Sequence, residues 1–186
     1  KLPARKSPRL AVFDYATPGA YFITICADKY LNRFGTVREG NVILNAAGQV
    51  VSDLWRRQPE YFPGLKLDLS ILMPNHIHAI CWLTGTPSAG TGSVSLIQVI
   101  QGFKSYSTKA VNKLQNTPGR KLWQRSFYDH VIRDEPGLNK LREYILSNPA
   151  TWHLRRTSEE GLSVEEMTKW LRDMCAELEN GPRNAR

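Results

Sequence analysis

The chain has 186 residues, 41% of them hydrophobic, with a formal net charge of +8. That length suits one domain with a terminal extension, and that composition excludes a disordered chain. No apolar run is long enough to span a bilayer, so no transmembrane helix and no membrane partner are expected.

The start, KLPARKSPRL, is basic and has no apolar stretch, so it does not read as a secretory signal; without an initiator methionine, a trimmed start or partly disordered ends are expected. Residues 20–27, AYFITICA, are β-branched and aromatic and predict a buried strand. Residues 33–45 predict a short hairpin around Glu39-Gly40-Asn41. Asn45 is placed to cap the helix that follows, with Val50, Val51, Leu54 and Trp55 at helical spacing and Pro63-Gly64 as its end. In 65–73, LKLDLSILM, Leu65, Leu67, Leu69 and Ile71 alternate with polar residues and predict a half-buried strand of period two. Pro74-Asn75 turns the chain into a second strand, HIHAICWL (76–83), and 84–93 is a Gly/Ser/Thr linker. Residues 95–114 predict a helix with Leu96, Ile97, Ile100, Phe103 and Ala110 inward and Lys104, Lys109 and Lys113 outward. After the loop QNTPGRK, residues 122–133 predict a last strand. Asp134 then caps a helix with Leu138, Leu141 and Ile145 on one face and Pro149 beyond its end. Ser163 and Glu166 form a capping box that opens a C-terminal helix reaching about Glu179.

The order strand–helix–strand–strand–helix–strand predicts an α+β fold. It is a ferredoxin-like or RRM-like antiparallel sheet with helices packed on one face, plus a C-terminal helical extension. The charge divides in the same place. Residues 157–186 hold four Lys/Arg against seven Asp/Glu, so residues 1–156 carry +11, and residues 101–133 hold seven basic side chains to one acidic. A basic body (1–156) with an acidic extension (157–186) points to a polyanion, nucleic acid first. Cys26, Cys81 and Cys175 make no C-x-x-C pair, so neither a disulfide framework nor a cysteine zinc site is expected, and a reducing cytoplasm fits. Cys26 and Cys81, inside apolar strands, are expected in the core.

The chemistry concentrates in two places. On a strand, His76 and His78 point to one face while Ile77 anchors the other, so two imidazoles can converge on one metal ion. An isolated H-x-H pair reads more readily as one or two solvated or hydrogen-bonded structural histidines. On the helix after Asp134, Tyr144 and Asn148 stack at i, i+4, a hydroxyl and a carboxamide facing one way. A helix tyrosine is otherwise a packing residue.

Taken together, MPNHIHAI, a basic helix, WQRSFYDH and EYILSNP resemble the single-tyrosine HUH transposases, and more closely the REP-associated tyrosine transposases of bacteria. FDYATPGAYFITIC and FGTVREGNVILNAAGQVV resemble the same group, so the likeness spans roughly residues 9–154. It implies His76, His78 and Asn148 as ligands of a divalent cation, Mg2+ or Mn2+, and Tyr144 as a nucleophile forming a 5′-phosphotyrosine. The implied partner is single-stranded or hairpin DNA, the implied location cytoplasmic and nucleoid-associated, and a monomer is favoured over a homodimer. Lys104, Lys109, Arg120, Lys121 and Arg125, interleaved with Trp123, offer a track for single-stranded DNA. Phe103 and Phe127 are expected in the core. Arg5, Lys6 and Arg9 resemble the basic segment with which relatives grip a hairpin's foot. Two rivals stand beside this expectation: a non-catalytic binder of hairpin repeats derived from a transposase, and an RRM-like RNA-binding module.

Overall fold

The computed structural model describes residues 13–85 and 93–152, together with Lys169 and Asp173. Arg5, Lys6 and Arg9, most of the 84–93 linker, Cys175 and all but those two residues of the helix expected from Ser163 lie outside the described residues. In chain order the elements are β1 (Gly19–Cys26), a 3-10 turn (Asp28–Tyr30), β2 (Gly35–Arg38), β3 (Asn41–Leu44), α1 (Ala46–Arg56), α2 (Gln58–Tyr61), β4 (Leu65–Met73), β5 (His76–Leu83), α3 (Leu96–Gln115), β6 (Tyr128–Ile132) and α4 (Glu135–Thr151). The sheet runs β4-β5-β1-β6 with every neighbouring pair antiparallel, the expected α+β arrangement. β2 and β3 form a separate hairpin turned by Glu39 and Gly40, both in the left-handed region at φ 49° and 73°.

Strand periodicity builds the larger core. Tyr21, Ile23 and Ile25 of β1 and Ile77, Ala79, Cys81 and Leu83 of β5 face α1 and α3, meeting Val51, Trp55, Leu96, Ile100 and Phe103. Trp55 and Phe103 join the two helices edge-to-face at 5.0 Å. Cys26 and Cys81 are buried as expected, and burial pushes both thiols up to about 12. The caps read from the sequence are present: Asn45 accepts from Gly48 N at 2.9 Å and Asp134 from Gly137 N at 2.8 Å. No helix among the described residues is long and apolar enough to cross a membrane.

Four local features differ from the sequence expectation. The helix after Asn45 stops at Arg56, and Pro59 sits in a separate single turn, α2. The last strand is shorter, because residues 122–127 run beside β1 without joining the sheet beyond one bridge, Ala27 to Trp123. Pro149 lies inside α4, near its end, where few intrahelical bonds remain to be lost. In β4 the register shifts between Leu67 and Ser70. This bulge splits the apparently regular apolar set: Leu65, Leu67 and Leu72 join the larger core, while Leu69 and Ile71 face the other way.

That other face is not open. α1 and α3 share one side as expected, but α4 crosses the opposite side, packing Leu138, Leu141 and Ile145 on Phe22 and Ile80. The bulge is what supplies Leu69 and Ile71 to this second core.

Candidate active site

His76 and His78 leave β5 on the α4 side, 2% and 0% exposed, with their Nε2 atoms 2.9 Å apart. Each Nδ1 has an oxygen partner: Asn75 Oδ1 lies 2.7 Å from His76, and Thr24 Oγ1 lies 2.7 Å from His78. Thr24 stands directly opposite His78 on β1. Phe22, its neighbour on the same face, stacks on His78 with ring centroids 5.4 Å apart.

α4 delivers the rest. The Tyr144 hydroxyl reaches His78 Nε2 at 3.0 Å, and its ring meets the edge of Phe22 at 6.1 Å. Trp152, two turns later, lies 5.8 Å from the His76 ring. Asn148 falls between Tyr144 and Trp152 on the same helix face. It is 1% exposed, and neither its amide nitrogen nor its oxygen has a hydrogen-bond partner. An orphaned buried amide costs about 1–3 kcal/mol, which marks Asn148 as a group lacking its proper partner.

The donor set fits a divalent cation. Two imidazole nitrogens aim at one point, both are oriented by oxygen partners on their other nitrogens, and an unsatisfied carboxamide stands on the facing helix. No group of three His, Cys, Asp or Glu side chains that could hold a metal ion comes together among the described residues. The four residues expected at the site, His76, His78, Tyr144 and Asn148, are thus two pairs from β5 and α4 with the nucleophile candidate touching one histidine.

α4 is held in this position by a fork that the sequence did not reveal. Arg142 Nε donates to Asp68 Oδ1 at 3.0 Å and Nη2 to Oδ2 at 2.5 Å, while Trp82 Nε1 adds a bond to Asp68 at 3.3 Å. The Arg142 hydrogen bonds hold the Asp68 carboxyl below its ordinary range. A carboxyl lowered on folding contributes stability above its unfolded pKa, about 4, and loses it as pH falls through the folded value. Asp68→Asn should therefore melt below the wild type at neutral pH, and the gap should close below about pH 4. Circular dichroism melts across that range check this, and a gap independent of pH refutes it.

The basic residues divide into two groups. Lys109, Arg120, Lys121 and Arg125 are exposed. Lys109, Lys121 and Arg125 line a groove of about 370 Å³ between α3 and residues 121–125. The groove opens beside the end of β1, where Gln124 N donates to Cys26 O at 2.9 Å and Cys26 pairs with His76, so it shares the histidines' end of the sheet. Two residues expected on the DNA track are committed elsewhere. Lys104 Nζ donates to the carbonyls of Gln124, Arg125 and Ser126 at 2.9, 3.3 and 2.9 Å, clamping the loop. Trp123 is 6% exposed, packs on Phe34 at 4.8 Å and donates to Ser107 Oγ at 2.8 Å, so its face is not free for a base. Phe103 and Phe127 are core residues, as expected. Arg33 was missed. Burial first, then the neighbouring Arg120 charge, lowers its pKa, and its Nε is buried without a hydrogen-bond partner.

No family model matches the sequence. An uncharacterized protein of Haemophilus influenzae is 34% identical over 164 residues, covering 80% of this chain and 89% of that protein. Among solved structures, a REP-associated tyrosine transposase bound to a REP hairpin superposes with a TM-score of 0.55 at 20% identity, over 77% of this chain and 72% of that one. The two share a fold.

Proposed function

We propose that this chain, which belongs to one family with the uncharacterized Haemophilus influenzae protein, is a metal-dependent single-stranded DNA endonuclease and strand transferase of the REP-associated tyrosine transposase type. The observation that carries this is the Tyr144 hydroxyl seated 3.0 Å from His78 Nε2, beside a second histidine and an orphaned buried amide. The fold shared with a hairpin-bound transposase supports the substrate class, hairpin-forming repeats.

His76, His78 and Asn148 would hold Mg2+ or Mn2+, which when bound polarises the scissile phosphate and neutralises charge developing on its oxygens. Tyr144 Oη attacks the phosphorus, the bond from phosphorus to the 3′ oxygen breaks, and the DNA remains on the enzyme as a 5′-phosphotyrosine. The phenol gives up one proton and the departing 3′ oxygen takes one up. The phosphodiester energy is kept in the new ester, so attack by another 3′-hydroxyl reseals the strand without a nucleotide cofactor. Phe22 and Trp152 confine the two imidazoles and limit water around the nucleophile. In this reading the enzyme acts as a monomer, with Tyr144 and His78 of one chain working together. A cytoplasmic, nucleoid-associated location follows from such a substrate.

The strand leaving the site would run along Lys109, Lys121 and Arg125, with Arg33 and Arg120 gaining a phosphate between like charges. Replacing Lys109, Lys121 and Arg125 together by Ala should lower the log–log salt slope of single-strand binding by about 2, at roughly 0.7 per lost phosphate contact. Fluorescence anisotropy at several salt concentrations reads this, and an unchanged slope removes the groove from the DNA path.

The activity itself is tested with a single-stranded hairpin oligonucleotide and Mn2+ or Mg2+. A denaturant-stable protein–DNA adduct, absent with a chelator, is expected. Hairpin binding without cleavage under either metal would establish the non-catalytic binder instead.

A further inference from the structure

A track for single-stranded DNA needs aromatic faces as well as cations, because stacking adds affinity that counterion release does not supply. Phe103, Trp123 and Phe127 are buried, so none of them offers a face beside the groove. Two other rings do. Tyr61 of α2 and Tyr106 of α3 are 50% and 58% exposed. They lie nearly parallel, with 18° between their planes and centroids 6.2 Å apart. The Arg57 guanidinium stands over the Tyr61 ring, 5.9 Å from its centroid. Tyr106 makes no other ring contact among the described residues, so it is the open end of a short stack of guanidinium, ring and ring.

The backbone builds this stack. Gly102, one turn before Tyr106, has no side chain, and a Cβ there would stand 3.1 Å from Phe62 Cζ. The bare glycine thus lets the end of α2 close on α3 and sets Tyr61 beside Tyr106. The surrounding charge is positive. Lys109 and Lys113 follow Tyr106 by three and seven residues on one helix face, both exposed, and α3 holds no acidic residue. The acids of α1 and α2, Asp53 and Glu60, are paired with Arg56 and Arg57. Ser105 and Lys109, on either side of Tyr106 along the chain, both line the groove, so groove and stack adjoin.

We propose that Tyr106, backed by Tyr61 and Arg57, is a stacking platform for an unpaired base of single-stranded DNA, with Lys109 and Lys113 on the adjoining phosphates. Every base has a flat π face, so the platform accepts any of the four. This inference rests on the DNA reading of the protein, and the test separates the two.

An oligodeoxythymidine carrying one 2-aminopurine at successive positions reports stacking through quenching of its fluorescence. Quenching by the wild type should peak at one position and be lost there in Tyr106→Leu. Affinity, read by anisotropy, should fall roughly 5- to 150-fold in Tyr106→Leu and return in Tyr106→Trp. The log–log salt slope should stay at its wild-type value, since no phosphate contact is lost. Unchanged affinity and quenching in Tyr106→Leu overturn the platform and leave the proposed function standing. A wild type that binds neither this oligonucleotide nor a hairpin overturns the DNA reading and the platform with it. Self-association of the wild type that Tyr106→Leu abolishes, with DNA binding unchanged, assigns the rings to a contact between two copies and overturns the platform.

Discussion

Tyr144→Phe should bind hairpin DNA as the wild type does and form no covalent adduct. The substitution removes one oxygen, the one 3.0 Å from His78 Nε2, and keeps the ring that packs edge-on against Phe22. Stability should change by no more than about 0.5–1.5 kcal/mol, the ordinary net worth of a hydrogen bond. Cleavage, by contrast, loses the hydroxyl that stands against His78 and supplies the attacking oxygen. A denaturing gel with a 3′-labelled strand measures the adduct, and anisotropy measures the binding. Any adduct that persists in Tyr144→Phe would assign the chemistry to another residue. Loss of binding together with cleavage would instead mean that α4 itself had been displaced.

His76→Ala and His78→Ala should each lower metal-dependent cleavage by about three orders of magnitude. Electrostatic stabilisation by a bound divalent cation is worth several kcal/mol in the transition state, and each 1.4 kcal/mol is about tenfold in rate. The effect of each histidine also has a structural part. Removing His76 takes the His76 Nδ1 partner from Asn75 Oδ1, and removing His78 takes one contact from Thr24 Oγ1 and one from the Tyr144 hydroxyl. Each variant should therefore melt below the wild type, by the equivalent of about 1–3 kcal/mol for an unpaired buried group. Cleavage rates measured well below that melting point separate the chemical loss from unfolding. Wild-type rates in His76→Ala would sink the metal model.

Much of the site was legible because it depends on local period. His76 and His78 share a face on any strand, and Tyr144 and Asn148 share a face on any helix, so both pairs could be named before their meeting was known. The strand order likewise followed from segments long enough to show their period, and the caps at Asn45 and Asp134 from side chains bonding only three residues away. What escaped was set by tertiary partners. The regular spacing of β4 gives no hint of its bulge, because the residues that select it, Leu138, Leu141 and Ile145, lie on another element. Lys104 has the look of a surface lysine on a basic helix. Only the approach of residues 124–126 turns its ammonium into a clamp. Asn75 carried a faint signal, a carboxamide adjacent to His76 in a tight turn, whereas Thr24 became a site residue through cross-strand register alone.

The alternation along β5 binds the hydrophobic interior and the reactive face into one mutational unit. Ile77, between the two histidines, is 1% exposed in the larger core, and Ala79 and Cys81 continue the row. Any substitution that moves this row to accommodate a larger or smaller side chain must carry His76 and His78 with it, because they are successive residues of one extended chain. Cores usually tolerate conservative exchanges at modest cost. Along β5 such exchanges would register as altered activity before they registered as lost stability, so drift in the interior of this protein is constrained by its chemistry.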